Sequence, residues 1–166
     1  MEISFFLNQE RVVVSVDPTE RMLDMLRDRF GLKGTKEGCG EGECGACTIL
    51  LNGLPANSCL IPAYQARGHA VDTIESVSPE ELSDLHDSGA TQCGACSPGV
   101  VMTALWIRRN PELLATHTLR EVMAGNLCRC TGYDGIMDGL QAWLDETEAQ
   151  GQGATQPEPT SGEVMP

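Results

Sequence analysis

Eight cysteines are divided evenly between the two halves of this 166-residue chain, at 39, 44, 47 and 59 and at 93, 96, 128 and 130. Nothing else in the sequence restricts the fold as much. Each half must bring four sulfurs together, and each half is small. Apolar residues make up 41% of the chain but aromatic residues only 4%, so two units would each have a thin core. Domains of that size commonly rely on a metal or a disulfide as a staple. The start, Met1-Glu2-Ile3-Ser4, has neither the positive segment nor the apolar run of a signal peptide. No apolar stretch reaches membrane-spanning length. The sequence therefore predicts a cytoplasmic protein, where thiols stay reduced and cysteine quartets argue for metal ligation over disulfides.

The formal net charge is −13, and no Lys/Arg cluster is present. That excludes an ordinary nucleic-acid binder. The acidity reads first as a solvated surface, and second as a face for a basic partner.

The first half reads as strands with one helix. Ile3–Leu7 and Val12–Val16 are β-branched and aromatic, joined by Asn8-Gln9-Glu10, which predicts a hairpin. Pro18-Thr19 opens a helix with Thr19 as N-cap, Met22, Leu23, Leu26 and Phe30 follow at helical spacing, and Gly31 is the stop. Thr48–Leu51 predicts a strand, Asn52-Gly53 a tight turn, a further strand carries Cys59, and Val71–Glu75 is the last. The second half reads as helices. Ser78-Pro79-Glu80-Glu81 and Thr118–Glu121 are capping boxes. Ser97-Pro98 is a cap plus proline before Val100–Arg109, and Pro111 ends that helix. Ile136, Leu140, Trp143 and Leu144 share one face of a final helix reaching about Thr147. Predicted domains are 1–76 and 77–148, with a disordered acidic, proline-containing tail over 149–166.

Cys39, Cys44, Cys47 and Cys59 follow C-x4-C-x2-C-x11-C, the plant-type spacing for a 2Fe–2S cluster. Three thiolates from one loop must wrap an anionic cluster, so the backbone bends sharply and turns N–H groups toward sulfur. Gly38, Gly40, Gly42 and Gly45 remove the Cβ atoms that would block this. Zinc knuckles prefer two C-x2-4-C pairs, which this pattern lacks. Glu41 and Glu43 are solvated loop charges or, in the functional reading, charges that lower the cluster potential. In the second quartet Cys93-x2-Cys96 stands before a helix start, whose positive end favours thiolates. Cys128-x-Cys130 lies between two helices, with a gap too tight for an ordinary zinc knuckle.

The stretches "GCGEGECGACTILLNG", "TQCGACSPGVV" and "AGNLCRCTGY" together resemble the small iron–sulfur subunit of the molybdenum hydroxylase (xanthine dehydrogenase) family, over roughly residues 1–145. The resemblance implies an α+β protein: an N-terminal β-grasp ferredoxin-like domain, then an all-α helical-bundle domain, each with a 2Fe–2S cluster. It implies Cys39, Cys44, Cys47 and Cys59 as ligands of the cluster nearer the flavin, and Cys93, Cys96, Cys128 and Cys130 as ligands of the one nearer molybdenum. Gln92 and Cys130 match positions beside the molybdopterin. A large molybdopterin-binding subunit and a medium FAD-binding subunit are the implied partners. Ala95 and Ser97 stand where the family commonly has an aromatic residue and threonine, and Asn8-Gln9 replaces Asn-Gly. None of these departures removes a ligand.

His69, His86 and His117 read as surface or capping residues, and Trp106 and Trp143 as core. Arg129 could pair with cluster charge or with a partner. No nucleophile with its base is marked, so no catalytic residue is expected in this chain. The leading expectation is an electron-transfer subunit, silent toward substrate alone. The alternatives are a free-standing two-cluster ferredoxin, a redox-sensing module or a structural zinc protein.

Overall fold

A computed structural model describes residues 1–82, 85 and 87–149, with the side chains of 80, 81 and 147–149 outside the description. The predicted tail from 150 onward and His86 therefore lie outside the described residues. Five strands form one sheet in the order β2-β1-β5-β3-β4: β1 (Glu2–Leu7), β2 (Glu10–Ser15), β3 (Thr48–Leu51), β4 (Leu54–Asn57) and β5 (Ala70–Asp72). β1 runs antiparallel to β2 but parallel to β5, and β3 is antiparallel to both β4 and β5. This is the β-grasp arrangement.

The period-2 pattern of β1 sends Ile3, Phe5 and Leu7 into the first core, where Met22, Met25, Leu26, Ile49 and Val71 meet them. The hairpin turn holds Asn8 and Gln9 at φ 48° and 72°. Both central residues of a type I′ turn need positive φ. Asn8 is anchored there: its Nδ2 donates to Thr73 Oγ1 at 3.0 Å and its Oδ1 accepts from Thr73 N at 2.8 Å. The last strand is shorter than predicted. It stops at Asp72, because Thr73 turns to these bonds and 74–76 form a 3-10 turn.

The helix of this half also starts later than predicted. Asp17 Oδ1 accepts from both the backbone N and the hydroxyl of Thr19, so Thr19 closes a local turn and does not cap. The helix α1 (Met22–Asp24) follows Arg21 and continues as a π-helical turn, Met25–Arg29. Gly31, at φ 69°, supplies the expected stop.

The second core belongs to the helices. α2 (Ser97–Arg109) buries Gly99–Leu105 and Ile107; α4 (Asp134–Ala149) buries Ile136, Leu140, Trp143 and Leu144. Between them the short α3 (Leu119–Val122) has the complete capping box predicted at Thr118 and Glu121. Residues 79–82 form a 3-10 turn, and the Glu81 side chain on which the other predicted box depends is outside the description. Arg108 lies 4.5 Å over the Trp143 ring. α2 is apolar almost all round because it is covered twice, by α4 and by the sheet.

One strand joins the two cores. On β3, Ile49 faces the first core and Leu50 the second. A strand buried on both faces reads as an unbroken apolar run, which accounts for Ile49-Leu50-Leu51. Burial of Leu50 alone stabilises the contact by about 1.5–3 kcal/mol. At the rim, Arg109 pairs with Asp72 at 2.8 Å, and both side chains are mostly shielded.

Candidate metal centres

The first quartet is built from one loop and the turn after β4. In the loop Gly40, Gly42 and Gly45 take left-handed φ between 68° and 77°. That winding turns peptide N–H groups inward. Cys39 Sγ accepts from Glu41 N at 3.3 Å and Glu43 N at 3.4 Å, while Cys44 Sγ accepts from Cys39 N at 3.3 Å. The Glu41 N–H, followed by donors at Cys44 and Glu43, brings the Cys39 thiol down to about 7. A Cβ at Gly38 would lie 2.7 Å from Cys44 Sγ, so the cradle closes only around glycine. Arg21 braces the loop stem through Glu37 at 2.9 Å while also pairing with Asp24.

Cys59 is not on a strand, as the sequence suggested. It lies in the turn just past β4, because Ser58 leaves the ladder: Ser58 N and Oγ both donate to the Cys47 carbonyl, at 3.3 and 2.7 Å. This draws Cys59 against Cys47, and Leu23 of α1 covers the pair; both cysteines are 3% exposed. Burial pushes the Cys47 thiol up to about 11.

The second quartet joins two distant segments. The cap of α2 lies one residue earlier than expected: Cys96 is the N-cap and its carbonyl accepts from Val100 N at 3.1 Å. Ser97 is already helical, and its hydroxyl pairs with Thr91 Oγ1 at 3.2 Å. One cysteine therefore terminates the helix. Burial raises its thiol to about 11, with Cys128 beside it adding to the effect. Cys128 is also raised by burial, but hydrogen bonds from Thr131 and the backbone outweigh that and bring it to about 7. Cys93 and Cys130 are exposed, their sulfurs 3.6 Å apart. Their thiols shift in opposite directions: the Ala95 N–H and then Cys130 lower Cys93, while Cys93 raises Cys130.

The eight sulfurs thus meet in twos: 39 with 44, 47 with 59, 93 with 130, and 96 with 128. Among the described residues no three His, Cys, Asp or Glu side chains converge as ligands of a single ion. Paired thiols fit a binuclear cluster, in which each iron takes two cysteines. Gln92 is exposed next to Cys93, and Arg129 and Ala95 are exposed too. His69 is exposed, with Nδ1 2.7 Å from Asn52 Nδ2, and His117 is exposed against Thr116. Neither touches a quartet.

The sequence did not show how the quartets adjoin. Leu127 N donates to the Cys44 carbonyl at 2.9 Å, and buried Asn126 donates through Nδ2 to the Gly45 carbonyl at 3.3 Å. A Cβ at Gly99 would collide with that same Gly45 carbonyl, and one at Gly45 would meet the Gly125 carbonyl. The residue preceding Cys128 is therefore one hydrogen bond from Cys44. "AGNLCRC" carried the signal only as a motif; its partner is 81 residues away.

Comparison with known proteins agrees with both halves. Residues 5–67 match the 2Fe-2S iron-sulfur cluster binding domain family, and residues 73–141 match a second 2Fe-2S binding domain family. A probable xanthine dehydrogenase subunit of Bacillus subtilis (strain 168) is 44% identical over 135 residues, covering 79% of this chain and 78% of that protein. The nicotinate dehydrogenase small FeS subunit of Eubacterium barkeri is 42% identical, covering 79% of this chain and 87% of that protein. Among solved structures, quinoline 2-oxidoreductase from Pseudomonas putida 86 superposes with a TM-score of 0.81 at 39% identity, over 91% of this chain and 97% of that one. With a β-grasp 2Fe–2S domain followed by a helical one, and relatives of matching length that are small FeS subunits, this chain belongs to the iron–sulfur electron-transfer subunits of the molybdenum hydroxylase (xanthine dehydrogenase) family.

Proposed function

We propose that Cys39, Cys44, Cys47 and Cys59 ligate the first cluster and that Cys93, Cys96, Cys128 and Cys130 ligate the second, with the sulfur pairs above each sharing one iron. When bound, the two clusters would each carry one electron, so a two-electron oxidation on a molybdopterin-bearing partner is drained in single steps toward FAD or an external acceptor. The chain's own residues hold the sulfurs, donate N–H groups to them and shelter Cys47 and Cys59 of the first quartet from water. A division near residue 76 separates a ferredoxin domain from a helical domain that ends near 148.

The exposed edge of the second quartet is the face for the large molybdopterin-binding subunit. Gln92 and Cys130 lie on that edge and would approach the pterin. The medium FAD-binding subunit would then meet the side nearer the first quartet. Substrate discrimination belongs to the large partner. Among the described residues no helix is long and apolar enough to cross a membrane, and a cytoplasmic complex is the reading we favour.

The observation that carries this reading is the meeting of eight thiols in four pairs within two adjoining sites. Anaerobic isolation followed by iron and sulfide counting tests it. The expected result is two binuclear clusters per chain, with two separate paramagnetic signals on reduction, and co-elution with molybdenum- and flavin-bearing chains from a native extract. A single signal, or stoichiometric zinc, overturns the assignment. A lone small species with both signals supports the free-standing ferredoxin instead.

A further inference from the structure

Three residues around the second quartet form a closed ring of hydrogen bonds. Cys128 N donates to the Tyr133 hydroxyl oxygen at 2.9 Å, Tyr133 N donates to Thr131 Oγ1 at 3.2 Å, and Thr131 Oγ1 donates to Cys128 Sγ at 3.3 Å. The Tyr133 N–H occupies a lone pair of the threonine oxygen, which leaves the hydroxyl proton directed at sulfur. The ring has a conformational cost. Gly132 and Tyr133 are both left-handed, at φ 69° and 75°, and a bulky residue there is an outlier that persists only when its surroundings hold it. Here the held conformation is what returns the tyrosine oxygen to Cys128 N. Among the described residues the first quartet has no such ring. Its described donors to Cys39 and Cys44 are peptide N–H groups, and Ser58, which also has a weak lowering effect on the Cys47 thiol, makes its 2.7 Å hydrogen bond to the Cys47 carbonyl.

We propose that Thr131 is a positioning residue that tunes the second cluster, its hydroxyl bond to Cys128 sulfur favouring the reduced state. This rests on Cys128 being a ligand. A hydrogen bond to a ligating sulfur strengthens as negative charge accumulates there, so it stabilises the reduced form more than the oxidised form. Thr131→Val removes the hydroxyl and keeps the peptide donors and the β-branched shape.

The test is a redox titration of the reconstituted full chain, followed by electron paramagnetic resonance of the two clusters separately. Thr131→Val should lower the equilibrium constant for reduction of the second cluster about tenfold, about 59 mV for one electron. The first cluster should be unmoved, and Thr131→Ser should restore the original value. In deuterated buffer the wild type should show an exchangeable hydroxyl deuteron coupled to the second cluster, absent from the valine variant. If valine hinders assembly, Thr131→Ala against Thr131→Ser makes the same comparison. Two intact clusters with an unshifted second potential overturn the tuning role. If a parallel Cys128→Ser protein keeps both signals unaltered, the ligand assignment fails instead, and the tuning role with it.

Discussion

The two sulfur sites solve one problem in opposite ways. The first is local: three of its four cysteines sit within nine consecutive residues, peptide N–H groups line it, and Cys47 and Cys59 are sealed under Leu23. The second is assembled across 38 residues, from Cys93 just before a helix start to Cys130 between helices, and it leaves Cys93 and Cys130 open to solvent. Each site has an exposed side, Cys39 in the first and Cys93 with Cys130 in the second, but only the first has a buried pair, and only the second depends on the helices that frame it. The difference separates what each half needs in order to fold.

The sharpest way to break this comparison is to remove one sulfur from each site. Cys47→Ser should lose half the bound iron and, because metal binding and folding are coupled in small sites, also the cooperative unfolding of the first half. Cys93→Ser should lose the other half of the iron while the helical circular dichroism persists, since Cys93 is exposed and outside the helical core whereas Cys47 is buried. Equal collapse in both variants would erase the distinction. A smaller effect is expected at the seam. Gly99→Ala presses a methyl group onto the Gly45 carbonyl, and denaturant titration should show a loss of about 3 kcal/mol. The smallest effect belongs to the rim. Asp72→Asn weakens the partly shielded pair with Arg109, a loss of about 1–2 kcal/mol by the same measurement, with both clusters retained.

The parts of this architecture that were legible in the sequence are those controlled by neighbours along the chain. The β1–β2 hairpin, the face of α4 and the Thr118 box follow from periodicity and capping chemistry, and the structure has all three. The misplacements arose where one local bond displaced another. Asp17 captured Thr19, which moved the helix start to Met22, and the Ser58 bonds to Cys47 took Cys59 off its strand. Ser97 lost the cap position to Cys96, because the first helical carbonyl is that of the cysteine itself. Contacts across the chain left no periodic trace. Leu50 reads as one more strand residue, yet it faces the helical core, and Asn126, in the stretch between two predicted helices, is buried against Gly45.

The bare backbone meeting of Gly45 and Gly99 has a consequence for any attempt to recombine such proteins. Two surfaces that touch without side chains have no rotamers with which to absorb a mismatch. A chimera taking its ferredoxin half from one relative and its helical half from another must therefore inherit both glycines together, whatever else it exchanges.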